Sequence, residues 1–332
     1  MVGGLTQAKP RTVAEYRRLL ESRVLPHFGE RRAVGSIKRS HVAAYVNALR
    51  ADGLRPQSIS RAFHPLRATL NYAAEEGYIA RSPAVKVKLP DEQTCEVETF
   101  EPAFLTWPEV ERVAAECAWV EPMYGLVVRF SAATGLRPAE VAGLNVEDIH
   151  ILGDRGEVAV RRTRTLTRGR GWVVGQPKTK TSRRSVPLLF PEVVGELAAY
   201  LAAHPRHGVG DAPLFYGRDP HGSHLLNPER YWDPGTFYRR TFIPAARRAG
   251  LSNVRLYDLR STFASLMASA GVDLFKVSRW LGHTSTTVTE RYYARLFRTD
   301  PDRESAALAR LLDAQRAAAP ATVRALVPRG QR

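Results

Sequence analysis

The sequence predicts a multidomain chain in two lobes: an all-α N-terminal lobe, then a mainly α-helical lobe carrying a small antiparallel β-sheet. Three observations predict it. Apolar residues recur at helical spacing through residues 12–76. A stretch at 84–105 with Pro90, Pro102 and the acids Asp91, Glu92, Glu96, Glu98 and Glu101 interrupts that pattern as a linker would. Beyond it, helical segments flank residues 157–188, where apolar and polar side chains alternate with a period of two.

The first lobe is expected over residues 1–83. Val13, Tyr16, Leu20 and Val24 give a helix over 12–24, which Pro26-His27-Phe28-Gly29 should end. Ser40 is expected to cap a second helix with Val42, Tyr45, Val46 and Leu49 inward, closed by Asp52-Gly53. A third, over about 58–76, places Ile59, Phe63, Leu66, Leu70 and Ala73 on one stripe. Arg17, Arg18, Arg31, Arg32, Lys38, Arg39, Arg61 and Arg67 fall off these stripes, either as a face for phosphates or as solvated charges.

The second lobe is expected over 106–300. Trp107-Pro108 opens a helix through Val110, Val113 and Ala114, and another spans about 124–133. In the following stretch Gly135 supplies a tight turn and Pro138 suits the first position of a new helix, which leaves Arg137 at its mouth. Glu140, one turn in, can bond the exposed N–H groups or hold Arg137 in one rotamer; a structural salt bridge is the alternative. The alternating stretch includes Val158-Ala159-Val160 and Trp172-Val173-Val174 and ends in Ser185-Val186-Pro187-Leu188. Between Glu157 and Glu192 there are nine basic residues and no acid, a field that a polyanion neutralises. Residues 176–184 read as a hairpin tip, from which Lys178 could reach a groove as a proton donor or only neutralise phosphates. Residues 203–233 read as loop-rich, and His204, His207, His221 and His224, without cysteine nearby, are expected to be solvated rather than metal-bound. Pro234 starts a helix past Phe237, Phe242 and Ala246 to Gly250.

Residues 257–293 hold the densest chemistry. Asp258 can cap a helix with Phe263, Met267 and Ala270 on its apolar face and Gly271 past its end, which sets Arg260 in the anion-favouring first turn. Asp273 starts a shorter helix through Leu274, Val277 and Leu281, and Gly282 ends it, so His283 lies at a sharp turn. A third helix repeats Val288, Tyr292 and Leu296 on one face and aims Tyr292 inward. Residues 301–332 form a tail with a short amphipathic helix through Ala307, Leu308, Leu311 and Leu312.

Composition bounds the partner. Lysine and arginine number 49 against 33 acids in 332 residues, a net charge of +16, so a polyanion is expected. No apolar run approaches a membrane span and no signal peptide is evident, so no membrane partner is expected. Two cysteines, Cys95 and Cys117, fit a reducing cytoplasm without a disulfide framework.

Taken in order, TGLRPAE at 134–140, PKTK at 177–180, YDLRST at 257–262 and LGH at 281–283, with Tyr292 nine residues after His283, resemble the tyrosine recombinase (phage integrase) family over about residues 12–297. The resemblance implies a SAM-like helical bundle as core-binding domain and a catalytic domain of the DNA breaking-rejoining enzyme fold. By position it makes Arg137 and Arg260 the paired phosphate-binding arginines, Lys178 the hairpin lysine and general acid, His283 the histidine of the second motif, Tyr292 the nucleophile and Glu140 the acid that follows the first arginine. Arg164, Arg168, Lys180, Arg183 and Arg184 are expected to bind DNA. The implied reaction is cleavage and rejoining through a 3′-phosphotyrosyl link, with no metal, ATP or other cofactor, for integration or excision of a mobile element. The implied partners are a double-stranded DNA core site, a homo-tetramer in the synaptic complex, with the tail helix as exchange element, and directionality or DNA-bending accessory proteins; the implied location is cytoplasmic and nucleoid-associated.

Three departures stand out. Tyr257 occupies the place where the family usually has a histidine base. A phenol is a poor base near neutrality but a good hydrogen-bond donor, so Tyr257 is expected to position the phosphate and leave the proton of Tyr292 to His283 or water. Ser261 replaces a second common histidine. About eleven residues precede the first helix, so an arm-site-binding domain, and with it the first core-binding helix, is expected to be lacking, in a simple recombinase or a shortened form. Two rivals differ in kind: a type IB topoisomerase-like enzyme that relaxes DNA, and a non-catalytic or weakened regulator using 259–281 as helix-turn-helix. Against the second, Leu274, Val277 and Leu281 are expected to face a core.

Overall fold

The structure is a computed structural model that describes residues 10–90, 103–167, 171–175, 183–219 and 225–283, with isolated positions 305, 309, 312 and 313. It divides into two compact units, Met1–Glu101 and Pro102–Arg332.

The first unit is helical. α1 (Pro10–Leu19) continues through a π turn, Leu20–Val24, into α2 (Leu25–Phe28), and the run ends at Gly29 with φ 85°. The helix therefore passes the expected stop at Pro26, which sits in the first turn of α2, where the preceding π turn absorbs the N–H bond that proline cannot make. α3 (Arg39–Ala51) has Lys38, not Ser40, at its N-cap; His41 Nδ1 accepts the Lys38 N–H at 3.1 Å. α4 (Pro56–Glu75) starts earlier than expected because Pro56 takes its first position. Val42, Tyr45, Val46, Leu49, Ile59, Phe63, Leu66 and Leu70 form one core, as the stripes required. Of the basic residues, Arg18 pairs with Glu15, Arg32 contacts the His41 ring and Arg39 donates to Lys86 O, while Arg17, Arg31 and Arg61 are exposed.

The second unit is built around α6. Thr106 caps α5 (Trp107–Ala118) through a capping box in which its N–H and Oγ1 both donate to Glu109. α6 (Pro122–Thr134) is buried on nearly every side and ends at Gly135; α7 (Pro138–Val141) follows. β1 (Ile149–Leu152), β2 (Arg155–Val160) and β5 (Arg184–Leu188) form an antiparallel sheet in the order β1-β2-β5. The hairpin of β3 (Thr163–Thr167) and β4 (Gly171–Gly175) is inserted between β2 and β5, so the one sheet expected over 157–188 is two.

α8 (Pro191–Ala202) packs against this sheet. β6 (Tyr216–Arg218) pairs with β7 (Leu226–Tyr231) inside the stretch expected to be loop-rich, where Asn227-Pro228-Glu229-Arg230 hides any alternation. α9 (Pro234–Phe237), a π turn and α10 (Ile243–Arg248) make the helix expected from Pro234. α11 (Asp258–Ser269) packs on α6, and α12 (Leu274–Leu281) reaches both α11 and β5. His204 is a core residue rather than a solvated one: Nδ1 accepts the Arg206 N–H and Nε2 donates to Pro213 O at 3.1 Å. Among the described residues no His, Cys, Asp and Glu group could hold a metal, and no helix is long and apolar enough to cross a membrane.

Candidate active site

The site is assembled where the C-termini of α6 and α12 meet the first turns of α7 and α11. A helix leaves its last carbonyls without intrahelical partners, and its macrodipole makes that end favourable for cations. Here arginines take those carbonyls. Arg260 donates to Gly135 O, the C-cap of α6, at 2.7 Å and to Leu281 O, the last residue of α12, at 2.6 Å. Arg137 reaches Leu281 O at 3.4 Å and Gly282 O at 3.3 Å. Arg184 Nε donates to Trp280 O. Three consecutive carbonyls at the end of α12 and its C-cap thus hold three guanidiniums.

Two glycines allow the approach. Gly135 has φ 62°, and a β-carbon there would lie 2.6 Å from Phe263 Cδ1; Gly282 has φ 66° and its β-carbon would lie 2.9 Å from Arg184 Nη1. Both positions need the left-handed region and the missing side chain together.

Glu140 balances the cluster. Its Oε1 accepts from Arg137 Nη1 at 2.9 Å and Arg184 Nη1 at 3.1 Å, and its Oε2 from the Arg137 N–H and Arg184 Nη2, both at 2.9 Å. Burial pushes this carboxyl up, but the bonds and charge of Arg184, then Arg137, outweigh it and hold the group at about 2. Glu140 is therefore ionised at neutral pH.

Arg260 is 1% exposed, and no carboxylate among the described residues forms an ion pair with it. Burial, then Arg137, lowers its pKa to about 10, with Tyr257 and Glu140 opposing; it remains a cation. A buried cation held, among the described residues, by two carbonyls is costly, and the cost is recovered when an anion arrives. His283 follows Gly282 on the same turn. Burial, then Arg260, Arg137 and Arg184, pushes its imidazole down to about 4, so it is neutral near pH 7 and able to accept a proton.

Tyr257, not Asp258, is the N-cap of α11, and its carbonyl accepts the Arg260 N–H at 3.1 Å. Tyr257 is 49% exposed, one turn from Arg260. Asp258 is buried as the first helical residue, and its Oδ2 accepts the Arg255 N–H at 2.8 Å. Ala270, expected inward, is the exposed C-cap. Asp273 caps α12 as expected, by accepting from Phe275 N and Lys276 N.

The structure brings Arg137, Glu140, Arg260 and His283 together, with Tyr257 at the edge. One expected DNA contact is placed otherwise. Arg184 belongs to β5, not to a hairpin tip, and its side chain is 6% exposed against Glu140. Arg164 lies 3.2 Å over the Tyr231 ring and is half-buried. Arg183 is exposed. Lys178, Lys180, Arg168 and Tyr292 lie outside the described residues, as do the tip at 176–182 and the helix expected to carry Tyr292. Val277 and Leu281 are fully buried, so this face of α12 packs into the core as expected, while Phe275, Lys276 and Arg279 are exposed on the other.

The phage integrase family profile matches residues 104–299 of the chain. The chain belongs to the phage integrase family of tyrosine recombinases. A prophage phiRv2 integrase of Mycobacterium tuberculosis is 28% identical over 306 residues, covering 90% of this chain and 73% of that protein. A tyrosine recombinase XerC-like protein of Caldanaerobacter subterraneus is 26% identical over 282 residues, covering 79% of this chain and 68% of that one. The solved Tn1549 transposon integrase, in complex with circular intermediate DNA, shares the fold: the TM-score is 0.67 at 19% identity, with 93% of this chain and 96% of that chain covered. Of the motif residues, Gly135, Arg137 and Glu140 from 134–140 and Leu281 and Gly282 from 281–283 take part in the arginine cluster.

Proposed function

We propose that this recombinase cleaves and rejoins DNA at specific sites through a 3′-phosphotyrosyl intermediate, without metal or ATP, to integrate or excise a mobile element. The observation that carries the reading is the buried Arg260 beside half-exposed Arg137, two guanidiniums aimed by helix ends with no carboxylate on Arg260 among the described residues. Such a pair can hold the two non-bridging oxygens of a phosphodiester and stabilise the charge that grows on them during attack.

In this reading Tyr292 Oη attacks the scissile phosphorus and the bond from phosphorus to the 5′-oxygen breaks. Lys178 gives its proton to the departing 5′-oxygen, and the Tyr292 proton passes to His283 or water. The products are a 3′-phosphotyrosyl link and a free 5′-hydroxyl. A 5′-hydroxyl from a second duplex reverses the step on a new partner, so the bond energy is conserved. A bound phosphate opposes the arginine field on His283 and raises its basicity when a base is needed. Tyr257 donates a hydrogen bond to the phosphate. The helical first unit serves as core-binding domain, residues 106–300 as catalytic domain, and four protomers on two duplexes complete the synapse. Accessory proteins that bend DNA or set direction are compatible partners.

The test is a pair of assays in EDTA on DNA that the protein itself selects from a randomised-core library. Exchange of strands between two labelled duplexes supports recombination. Relaxation of a supercoiled plasmid with no exchange supports the topoisomerase-like alternative instead.

A further inference from the structure

We infer that Arg184 is a positioning residue of this reaction: by bonding both oxygens of Glu140 it limits that carboxylate to a single bond with the Arg137 guanidinium, and so keeps Arg137 available to the scissile phosphate. The inference rests on the recombinase reading above.

The geometry supplies the argument. Glu140 is buried and its two oxygens accept four hydrogen bonds, two of them from Arg184 and only one from the Arg137 guanidinium. A carboxylate has about four lone-pair sites, so it is saturated. Without Arg184, two of those sites open and the same carboxylate can take Arg137 in a fork, the geometry an arginine and a carboxylate prefer. Arg137 would then turn away from the phosphate it is needed for.

The charge count agrees. Among the described residues, Arg137, Arg184 and Arg260 against Glu140 leave two net positive charges in the cluster. A phosphodiester carries one negative charge and its five-coordinate state two, so the cluster matches the activated state better than the ground state. Arg184 also fixes geometry: it stands opposite Val160 at the start of β5, its Nε holds Trp280 O, and its guanidinium packs on Gly282, next to His283. One side chain thus ties the strand that follows the Lys178 segment to the turn that carries the histidine.

The experiment measures single-turnover formation of the covalent protein–DNA adduct on two nicked substrates. One has a normal scissile phosphate and the other a methylphosphonate, which lacks the charge. Arg184→Gln is expected to slow the adduct about 100-fold on the phosphodiester and less than about tenfold on the methylphosphonate, with DNA binding unchanged. Arg184→Lys, which keeps the charge, should retain the wild-type ratio between the two substrates. Combining Arg184→Gln with Glu140→Gln removes the competing carboxylate and should recover at least tenfold of the loss. Equal losses on both substrates, or a double variant no faster than Arg184→Gln, would overturn the inference. If Arg184→Gln does not fold by circular dichroism, the double variant and Arg184→Lys decide on the same ratio. A wild-type protein that forms no adduct at all would defeat the recombinase reading rather than this one.

Discussion

Gly282 leaves the space that Arg184 fills: a β-carbon on the glycine would lie 2.9 Å from Arg184 Nη1 and 3.0 Å from its Cζ. With φ 66°, the same residue also needs the left-handed region that other residues reach only with strain. Gly282→Ala is therefore expected to destabilise the protein by about 1–3 kcal/mol and to slow adduct formation as Arg184 is displaced. Urea unfolding together with the adduct rate checks both parts. An alanine variant as stable and as fast as wild type would remove the packing argument.

Arg260 is the buried member of the phosphate-binding pair. A lysine there keeps a charge but cannot bond Gly135 O and Leu281 O with a planar fork. Arg260→Lys should lower the adduct rate by about 100-fold or more, with a smaller change in DNA affinity, because the guanidinium held in place by those carbonyls acts mainly on the activated phosphate. Rate and affinity measured side by side would show the reverse if Arg260 served only to bind DNA.

Stability should fall on the acid side in two stages. His283 and Glu140 both have folded pKa values below their ordinary ones, at about 4 against 6.5 and about 2 against 4.5. A depressed folded pKa gives stability that is complete above the ordinary value and is lost as pH falls through the folded one. His283 thus contributes a loss between pH 6.5 and about 4, and Glu140 one between 4.5 and about 2, on the order of 3 kcal/mol for the buried carboxylate. Unfolding free energies measured across this range for wild type and His283→Asn should converge as the pH drops from 6.5 to 4. Parallel curves would contradict the neutral, buried histidine.

Tyr257 tests the most unusual position in the motif. Its hydroxyl is expected to hold a phosphate oxygen, and one hydrogen bond to a charged group is worth roughly 1.5–3 kcal/mol, so Tyr257→Phe should slow the adduct at least about tenfold. An unchanged rate in the phenylalanine variant would leave Tyr257 as a helix cap and nothing more.

Much of this site was legible in the order of its motifs. Gly135, Pro138, Asp273 and Gly282 announce turns and helix ends by their own backbone chemistry, and those ends fall where the sequence put them. Arg184 was misplaced because a run of basic residues draws attention to charge and hides strand period. Counted in twos, Arg184, Val186 and Leu188 share the buried face of β5, and that alternation was the available signal. The carbonyls of Trp280, Leu281 and Gly282 could not be read at all, since backbone acceptors carry no side-chain signature. The helix running past Pro26 and the pairing of β6 with β7 were likewise decided by tertiary context over local pattern.

The most direct measurement follows the bond to the protein. Nicked duplexes carrying the selected core site are incubated in EDTA with wild type and with Tyr292→Phe, and the products are run in SDS. An SDS-stable protein–DNA adduct in wild type that vanishes in the variant is the predicted result. DNA bound by both proteins with an adduct in neither, or an adduct that persists in Tyr292→Phe, would contradict phosphotyrosyl chemistry at this residue.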